Sequence, residues 1–423
     1  MNIKILHITT IDVGGAYKAA QRIRESLQQQ NVDSTILFRN KTKKSTEGIE
    51  YLDSFLKQAN SKLKNCINLL LSRNGIIIRE ALGSDISGHP SLKDADIIVL
   101  HWVNSFLSPK SLKKILALGK PVIWIMHDMW PYTGGCHCDM YCGRYQDTCK
   151  ECPLVVHKWG KSVSSKNFKD KQKVYSQFNF YVIGPSRCSV KNVQDSHLLK
   201  NKMIYYIPNC INTKVYYPRN KEQVKRKLQL PLEKKIVLFG ADNAGTEDKN
   251  KGFAYLLKAL ECLDDKDVFL LIFGRTSEKT LQNIKQNYKT VGYIENENEM
   301  SEIYSVADVM VTPSIQESFG FTCCEALACG TPVTAFGVGG LLDQIEHRKN
   351  GYLAELYNSK DLAQGISYCI SHSEELGQAA YKKAQQFSYE VVGKQYKELF
   401  ESAKSNYYRS DRCNRNSTNS KTD

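Results

Sequence analysis

The length, composition and charge of the chain exclude several broad classes of protein. With 423 residues, the chain is long for a single core and comfortable for two domains. Its hydrophobic content of 42% is ordinary for a globular protein, and no apolar run approaches the roughly 20 residues of a membrane helix. The net charge of +14 favours anionic partners, such as a nucleotide diphosphate, an anionic membrane surface or nucleic acid, although a generally basic solvated surface explains it equally well.

The amino-terminal residues have the character of a first strand and not of a signal peptide. They lack a basic segment followed by a long apolar stretch and a small-residue cleavage site. We therefore expect the protein to remain in the cytoplasm. Without a secretory signal, the fourteen cysteines are not expected to form a disulfide scaffold.

The first half of the chain begins as a strand, a glycine turn and a helix. Residues 4–10 are mostly apolar, as in a buried parallel strand, and Gly14 and Gly15 precede apolar positions at helical spacing. This order predicts a Rossmann-like unit, but without G-x-G-x-x-G a dinucleotide site is poorly supported. The further predicted elements are strands at 34–38, 96–100, 121–126 and 180–186, a helix at 108–118, and helices within 47–88.

A histidine follows the strand predicted at 121–126. His127 stands at the carboxyl end of this strand, where an imidazole is well placed for chemistry. The alternative is a histidine that only packs at a strand end. His101, beside Trp102 at the end of the preceding strand, is a second candidate.

Five cysteines cluster within residues 134–153, a segment rich in Gly, Asp and Tyr and poor in aliphatic side chains. Such a segment needs a cross-link to hold a shape, and four thiolates around Zn²⁺ form a closed structural site. The predicted ligands are Cys136, Cys142, Cys149 and Cys152, with Cys138 left over. Free thiols or local disulfides are the competing interpretation. A zinc ion here would be structural and not catalytic.

The second half of the chain has the same alternation of strands and helices. Strands are predicted at 235–240, 267–274, 291–294, 308–314 and 333–336, and helices at 300–307, 361–370, 374–386 and 389–403. Residues from about 405 are polar and basic without an apolar period, so we predict a disordered tail.

The segment that follows the strand at 308–314 carries two carboxylates. Glu317 lies before a turn centred on Gly320, and Glu325 lies within the helix that begins near Thr322. In an α/β unit both would face the crevice at the carboxyl end of the strand, where ligands bind. Free N–H groups at the helix start favour an anion there. The alternative is two surface glutamates near a helix start.

The run E-S-F-G-F-x-x-x-E-A-L-A-C-G-T-P-V, from Glu317, resembles the signature of retaining glycosyltransferases of family 4. I-P-N at 207–209, K-G at 251–252 and N-G-Y-L at 350–353 resemble further motifs of that family. The run H-D-M-W-P-Y-T-G-G-C-H from His127 resembles its colanic acid, capsular and exopolysaccharide branch.

The resemblance implies an α/β protein of the GT-B fold, with two facing Rossmann-like domains and the nucleotide-sugar site in the cleft between them. The implied segments are an N-terminal acceptor domain at 1–190 with the Cys-rich insertion 134–153, a donor domain at 191–388, a helix at 389–404 that crosses back, and a basic disordered tail at 405–423.

The resemblance also implies roles for individual residues. His127 and Glu317 would contact the donor sugar, and Lys251 would bind the leaving diphosphate. The residues implied to bind the donor are Gly15, Lys249, Arg275, Tyr293, Ile294, Phe319, Gly320, Phe321, Thr322 and Glu325. Among these, Glu325 would bind the ribose, and Tyr293 and Ile294 the base. The family usually has an arginine about five residues before the K-G lysine, where this chain has Thr246, and Lys249 can substitute as a second cation.

The implied reaction is transfer of a hexose-type sugar from a UDP- or GDP-linked donor to a saccharide or lipid-linked saccharide, with retention of configuration, in bacterial surface polysaccharide biosynthesis. No cofactor is expected for catalysis, since the D-x-D at 94–96 leads into a buried strand. We expect an association with an anionic membrane at its inner face, and no nucleic acid partner. The alternatives are a sugar-nucleotide epimerase, a sugar phosphorylase, and a nucleotide-sugar-binding partner without turnover, which the missing arginine favours.

Overall fold

A computed structural model describes residues 3–40, 42, 47–51, 83–155, 158–243, 248–263, 267–276 and 281–419 of the chain. Most of the helical region predicted within 47–88 lies outside these residues, as does Thr246. The chain divides into two compact units. The first unit comprises Met1–Asn209 and Val392–Asp423, and the second unit comprises Cys210–Val391.

The first unit contains a seven-stranded parallel sheet in the order β3-β2-β1-β4-β5-β6-β7. Its strands are β1 (Lys4–Ile11), β2 (Asp33–Asn40), β3 (Ile49–Glu50), β4 (Ile97–Leu100), β5 (Val122–Ile125), β6 (Tyr181–Gly184) and β7 (Met203–Tyr206). Among the described residues up to 209, its helices are α1 (Gly15–Gln29), α2 (Pro90–Asp94), α3 (Pro109–Leu116), α4 (Lys158–Tyr175) and α5 (Arg187–Asp195).

The central strands of this sheet are apolar along their whole length. β4 reads IIVL and β5 reads VIWI, and every one of these residues is buried. Continuous apolar runs are expected where helices cover both faces of a parallel sheet. Because β7 pairs with β6, with Gly184 opposite Tyr206, the first unit continues past residue 190, where the sequence placed a domain boundary.

The second unit contains a six-stranded parallel sheet in the order β10-β9-β8-β11-β12-β13. Its strands are β8 (Lys235–Asn243), β9 (Val268–Arg275), β10 (Tyr288–Gly292), β11 (Val309–Thr312), β12 (Val333–Phe336) and β13 (Gly351–Ala354). Its described helices are α6 (Lys221–Lys227), α7 (Phe253–Leu260), α8 (Glu297–Val306), α9 (Phe321–Ala328), α10 (Leu341–Gln344), α11 (Ser359–Ser371) and α12 (Ser373–Ala384). The described residues thus form two Rossmann-like α/β units, which confirms the predicted fold class.

The last helix, α13 (Tyr389–Asn419), returns the chain to the first unit. Gly393 lies against Ser26 of α1, and the ammonium of Lys404 lies 3.0 Å from the Asp96 carboxylate. The helix continues to Asn419, so the structure is helical where the sequence predicted a disordered tail from residue 405. None of the described helices is both long enough and apolar enough to cross a membrane.

Candidate active site

The loop after β11 carries Glu317 and is held by a close backbone approach. The carbonyl oxygen of Glu317 accepts a hydrogen bond from the N–H of Gly340 at 2.9 Å. A Cβ at Gly339 would lie 1.8 Å from that same oxygen, so only glycine allows this approach. Gly320 then adopts φ +91° and begins α9, which needs a residue that tolerates the left-handed region. The G-V-G-G segment after β12 therefore fixes the position of Glu317.

The turn that carries Lys251 is joined to the Glu317 loop by Asn250. The Asn250 amide donates from Nδ2 to the Gln316 carbonyl at 2.8 Å and accepts from the Gln316 N–H at 2.8 Å. The Ile315 N–H donates to the Asn250 carbonyl at 2.8 Å. Gly252 follows at φ +69°, where a Cβ would lie 1.8 Å from the Pro313 carbonyl oxygen. The two loops thus behave as one piece of structure.

This junction brings two predicted catalytic residues together. Lys251 Nζ donates to Glu317 Oε2 at 2.9 Å, with 35% and 18% of the two side chains exposed. An ammonium and a carboxylate therefore meet beside the start of α9, both still accessible to a ligand. Lys249 is exposed and forms no ion pair with another described residue.

Glu325 lies one turn into α9 and is buried, with 2% of its surface exposed. Its Oε2 accepts a hydrogen bond at 2.7 Å from the hydroxyl of Tyr304 on α8. Burial, followed by the nearby Glu325 carboxylate, raises the pKa of Tyr304 well above its usual value. The hydroxyl therefore stays protonated and donates a hydrogen bond to Glu325. Tyr304 therefore orients Glu325, a role that was not predicted from the sequence.

The remaining donor-binding candidates of the second unit lie around β9, β10 and α9. Arg275 ends β9, and its guanidinium lies 5.4 Å from the centre of the Tyr293 ring, which is half exposed. Ile294 is partly buried beside it. Phe319 is buried and its ring meets that of Phe321 edge-on at 5.3 Å, with Thr322 following in the first turn of α9. A cation paired with an exposed aromatic ring is a surface on which a nucleotide base can stack.

In the first unit, Gly15 is the first residue of α1, after Gly14 at φ +85°. A Cβ at either glycine would meet no atom of the described residues within 4 Å. His127 follows β5, and its Nε2 lies 2.8 Å from Nδ1 of His101, with the two rings stacked at 5.0 Å. Burial lowers the pKa of His127 to about 4, so the imidazole is neutral at pH 7.

A further histidine of the first unit ties together the loops that follow β4 and β5. His137 bonds through Nδ1 to the Asp128 carboxylate, and its Nε2 lies 3.0 Å from the Asn104 side-chain amide. Trp102 lies beside this imidazole, with its indole Nε1 3.3 Å from His137 Nδ1. His137 was not predicted as a site residue from the sequence. Its only signal was its position between two cysteines.

The four cysteines predicted as metal ligands face a common cavity. Cys136, Cys142, Cys149 and Cys152 line it together with Arg144 and Ser164, whereas Cys138 does not. Ser164 of α4 anchors the segment by donating to the Cys149 carbonyl at 2.8 Å. Burial raises the pKa of the Cys149 thiol to about 11, so it is protonated. As they stand, no three His, Cys, Asp or Glu side chains in the described part of the chain are placed to hold a metal ion.

Residues 220–387 match the family model described as Glycosyl transferases group 1. This match lies within the second unit and supports the predicted family. Curated relatives include a D-inositol 3-phosphate glycosyltransferase of Corynebacterium aurimucosum, 30% identical over 46% of this chain and 50% of the relative. Another is the N,N'-diacetylbacillosaminyl-diphospho-undecaprenol alpha-1,3-N-acetylgalactosaminyltransferase of Campylobacter jejuni. It is 26% identical over 48% of this chain and 55% of the relative. The chain spans about half the length of the curated relatives it matches.

Solved glycosyltransferase structures share the whole fold. Sucrose-phosphate synthase of Thermosynechococcus elongatus aligns with a TM-score of 0.66 and 18% identity, over 95% of this chain and 99% of that one. HepE of Anabaena, in complex with UDP-glucose, aligns with a TM-score of 0.64 and 16% identity, over 95% of this chain and 100% of HepE. At this identity the likeness shows the fold alone, which is that of GT-B glycosyltransferases.

Proposed function

We propose that the protein is a glycosyltransferase that moves a hexose-type sugar from a nucleotide diphosphate to a saccharide hydroxyl. The observation that carries this proposal is the Lys251–Glu317 pair beside the start of α9. It lies at the carboxyl end of a parallel sheet, where such folds bind ligands. The match of the surrounding segment to group 1 glycosyltransferases supports it. The comparisons give no support to the epimerase alternative.

Each part of this pair has a chemical task in the proposed reaction. Departure of the diphosphate concentrates negative charge on its oxygens, which Lys251 and the free N–H groups of α9 can stabilise. Comparable preorganised groups contribute about 3–4 kcal/mol each to transition-state stabilisation. Glu317 would accept hydrogen bonds from the sugar hydroxyls and orient the anomeric carbon. We assign His127 to the donor sugar as well, as a neutral imidazole.

We further propose that the configuration at the anomeric carbon is retained and that no metal ion takes part in the chemistry. The resemblance of the Glu317 segment to retaining transferases supports the first point. The second is supported by Lys251, a cation that can meet the charge of the leaving group without a metal.

The acceptor that we propose is a lipid-linked saccharide of surface polysaccharide biosynthesis, met at the inner face of the membrane. The relative from Campylobacter jejuni carries a diphospho-undecaprenol acceptor in its name. The net charge of +14 favours an anionic lipid surface. The donor that we propose is linked to UDP or GDP.

The test uses purified protein and a panel of UDP-, GDP-, ADP- and dTDP-sugars, with release of the nucleoside diphosphate as the readout. Slow hydrolysis needs no acceptor. We expect release from one donor and its loss in Glu317→Gln. Glu261→Gln is the matched control, since it removes the carboxylate of an exposed Lys285 pair elsewhere in the second unit. Nucleotide binding without release, also in the presence of lipid-linked saccharides, would instead identify a binding protein without turnover.

We also propose that Cys136, Cys142, Cys149 and Cys152 hold a structural zinc ion. The support is that these four thiols face one cavity within a segment that has few aliphatic side chains of its own. To coordinate an ion, the four side chains would have to rotate and the thiols would have to lose their protons. Zinc binding promotes this deprotonation. The ion would fix the shape of the segment and supply no catalytic step.

A further inference from the structure

Three histidines and one serine form a continuous chain of contacts across the sheet of the first unit, buried except at the partly exposed His127. Ser34 Oγ on β2 lies 2.9 Å from His7 Nε2 on β1, and His7 Nδ1 lies 2.8 Å from His101 Nε2. His101 Nδ1, at the end of β4, lies 2.8 Å from His127 Nε2. Ser34, His7 and His101 are 5%, 0% and 2% exposed, so these three side chains are shielded from bulk solvent.

Neutral imidazoles impose a strict rule on such a chain. Each ring has one N–H donor and one acceptor nitrogen, and each of the three contacts needs a single proton. Only two arrangements satisfy all three contacts. Either every ring carries its proton on Nδ1, with Ser34 donating to His7, or every ring carries it on Nε2, with His7 donating to Ser34.

The rings are neutral because burial opposes their charged form. It lowers the pKa of His7 to about 3 and that of His127 to about 4, and it lowers that of His101 well below the usual value. The nearby Arg24 cation lowers the pKa of His7 further, and repulsion between neighbouring imidazoles when they are protonated lowers that of His101 further.

Ser34 decides between the two arrangements. Its hydroxyl makes no other hydrogen bond to any residue that the structure describes. If the rings carried their protons on Nε2, the Ser34 O–H would be a buried donor without an acceptor, which is costly. If they carry them on Nδ1, the same O–H donates to His7 and every group in the chain is satisfied.

We infer that Ser34, His7 and His101 act as positioning residues that hold His127 as its Nδ1–H tautomer. The inference deepens the proposed function and rests on it in one respect, the role of His127 as a sugar ligand. With its Nε2 occupied by His101, the nitrogen left to a ligand is Nδ1, and it is a hydrogen-bond donor. His127 therefore recognises an acceptor oxygen, such as that of a sugar hydroxyl, a phosphate or a carboxylate, and does not act as a general base.

The tautomers are measured by NMR on the full chain labelled with ¹⁵N at its nine histidines. Long-range ¹⁵N–¹H correlations distinguish the protonated from the unprotonated ring nitrogen. His7→Gln, His101→Gln and His127→Gln supply the assignments. We expect Nδ1–H in all three wild-type rings, although free imidazole side chains favour Nε2–H. A wild-type His127 that carries its proton on Nε2 overturns the inference.

Ser34→Ala removes the hydroxyl that sets the direction of the chain. We expect His127 to lose its pure Nδ1–H signature and release of nucleoside diphosphate to fall about tenfold, equivalent to the loss of one hydrogen bond to the donor. Ser34→Thr keeps the hydroxyl and should restore both. Ser26→Ala, which removes another buried hydroxyl of the first unit, should change neither.

The two parts of the inference can fail separately. If the His127 tautomer is unchanged in a folded Ser34→Ala protein, the positioning chain is overturned. If the tautomer shifts while release stays at the wild-type rate, the chain stands and the assignment of His127 to the sugar is wrong.

Discussion

Lys251 and Glu317 are 66 positions apart in the chain, yet Nζ of the first lies 2.9 Å from Oε2 of the second. Their loops follow β8 and β11, which are neighbours in the sheet, with Val237 opposite Val309. Parallel neighbours present their carboxyl ends at the same edge. The ion pair is therefore set by strand order. A donor diphosphate would compete with Glu317 for the ammonium and release the carboxylate to the sugar.

Loss of the ammonium should slow the reaction far more than it weakens folding. We expect Lys251→Met to lower kcat for nucleoside diphosphate release about 10²–10³-fold, because the charge of the leaving group loses its preorganised partner. Only a small change in Tm should follow, since the pair is partly exposed. Lys249→Met is the matched control at an exposed neighbour. A larger loss of kcat in that control would place the phosphate clamp on Lys249 instead.

Asn250 should matter although it has no charge. Asn250→Ala removes both side-chain bonds to Gln316 and uncouples the Lys251 turn from the Glu317 loop. We expect the free energy of unfolding, measured by urea denaturation, to fall by about 1–2 kcal/mol. The KM for the donor should rise and kcat should fall. Asn250→Asp keeps the acceptor oxygen and loses the donor, so its effects should be intermediate. Equal activity in Asn250→Ala and wild type would show that the two loops hold their positions independently.

Apolar runs, glycine turns and the resemblance to family 4 glycosyltransferases predicted the two Rossmann-like units and the placement of Glu317 and Lys251 in loops after strands. Each of these features depends on a short stretch of consecutive residues, so it can be recognised without knowing which elements lie together in the fold. The Asn250–Gln316 and Tyr304–Glu325 contacts could not be predicted, because each joins side chains from separate elements and leaves no periodic trace. The first unit runs to residue 209 and not 190, because β7 adds to the edge of its sheet. This strand has only four residues, all of them exposed or partly exposed, and its sequence MIYY does not show which sheet it joins.

Tyr304 should stabilise the second unit by satisfying the buried Glu325 carboxylate. Tyr304→Phe leaves that carboxylate without the hydroxyl at 2.7 Å, so we expect a loss of about 1–3 kcal/mol in the free energy of unfolding at pH 7. The donor KM should rise if Glu325 binds the ribose. Tyr216→Phe is the control, because it removes a neighbouring buried tyrosine's bond to Glu297 at 3.2 Å. Undiminished stability in Tyr304→Phe would mean that Glu325 is satisfied without it.

The lowered pKa values of His7 and His127 make the free energy of unfolding depend on pH. In the folded state the pKa is about 3 for His7 and about 4 for His127, below the 6.5 of an unfolded chain. The unfolded state therefore binds more protons as the pH falls from about 6.5 to about 3, and stability falls with it. Each such histidine adds up to about 1.4 kcal/mol per pH unit to the slope.

Urea unfolding at pH 8, 6, 5 and 4 measures this slope. His7→Gln should be less stable than wild type at pH 8, because it disturbs the buried chain, but should lose less stability on acidification. His372→Gln, at an exposed position of the second unit, is the control. A slope in His7→Gln equal to that of wild type would show that His7 does not titrate on unfolding.

The proposed zinc site predicts a metal content and a pattern of variants. Protein produced in zinc-supplemented medium should contain about one zinc per chain, measured by mass spectrometry of the metal. Cys149→Ser should lose the ion and several degrees in Tm, because Cys149 faces the shared cavity and is anchored through its carbonyl to Ser164. Cys138→Ser should keep both, since Cys138 lies outside that cavity. Zinc retained in Cys149→Ser would remove this residue from the ligand set. If wild-type protein contains no zinc and its four thiols react freely after unfolding, the zinc proposal is wrong and the cysteines are free thiols. If those thiols react only after a reductant is added, the cysteines instead form disulfides.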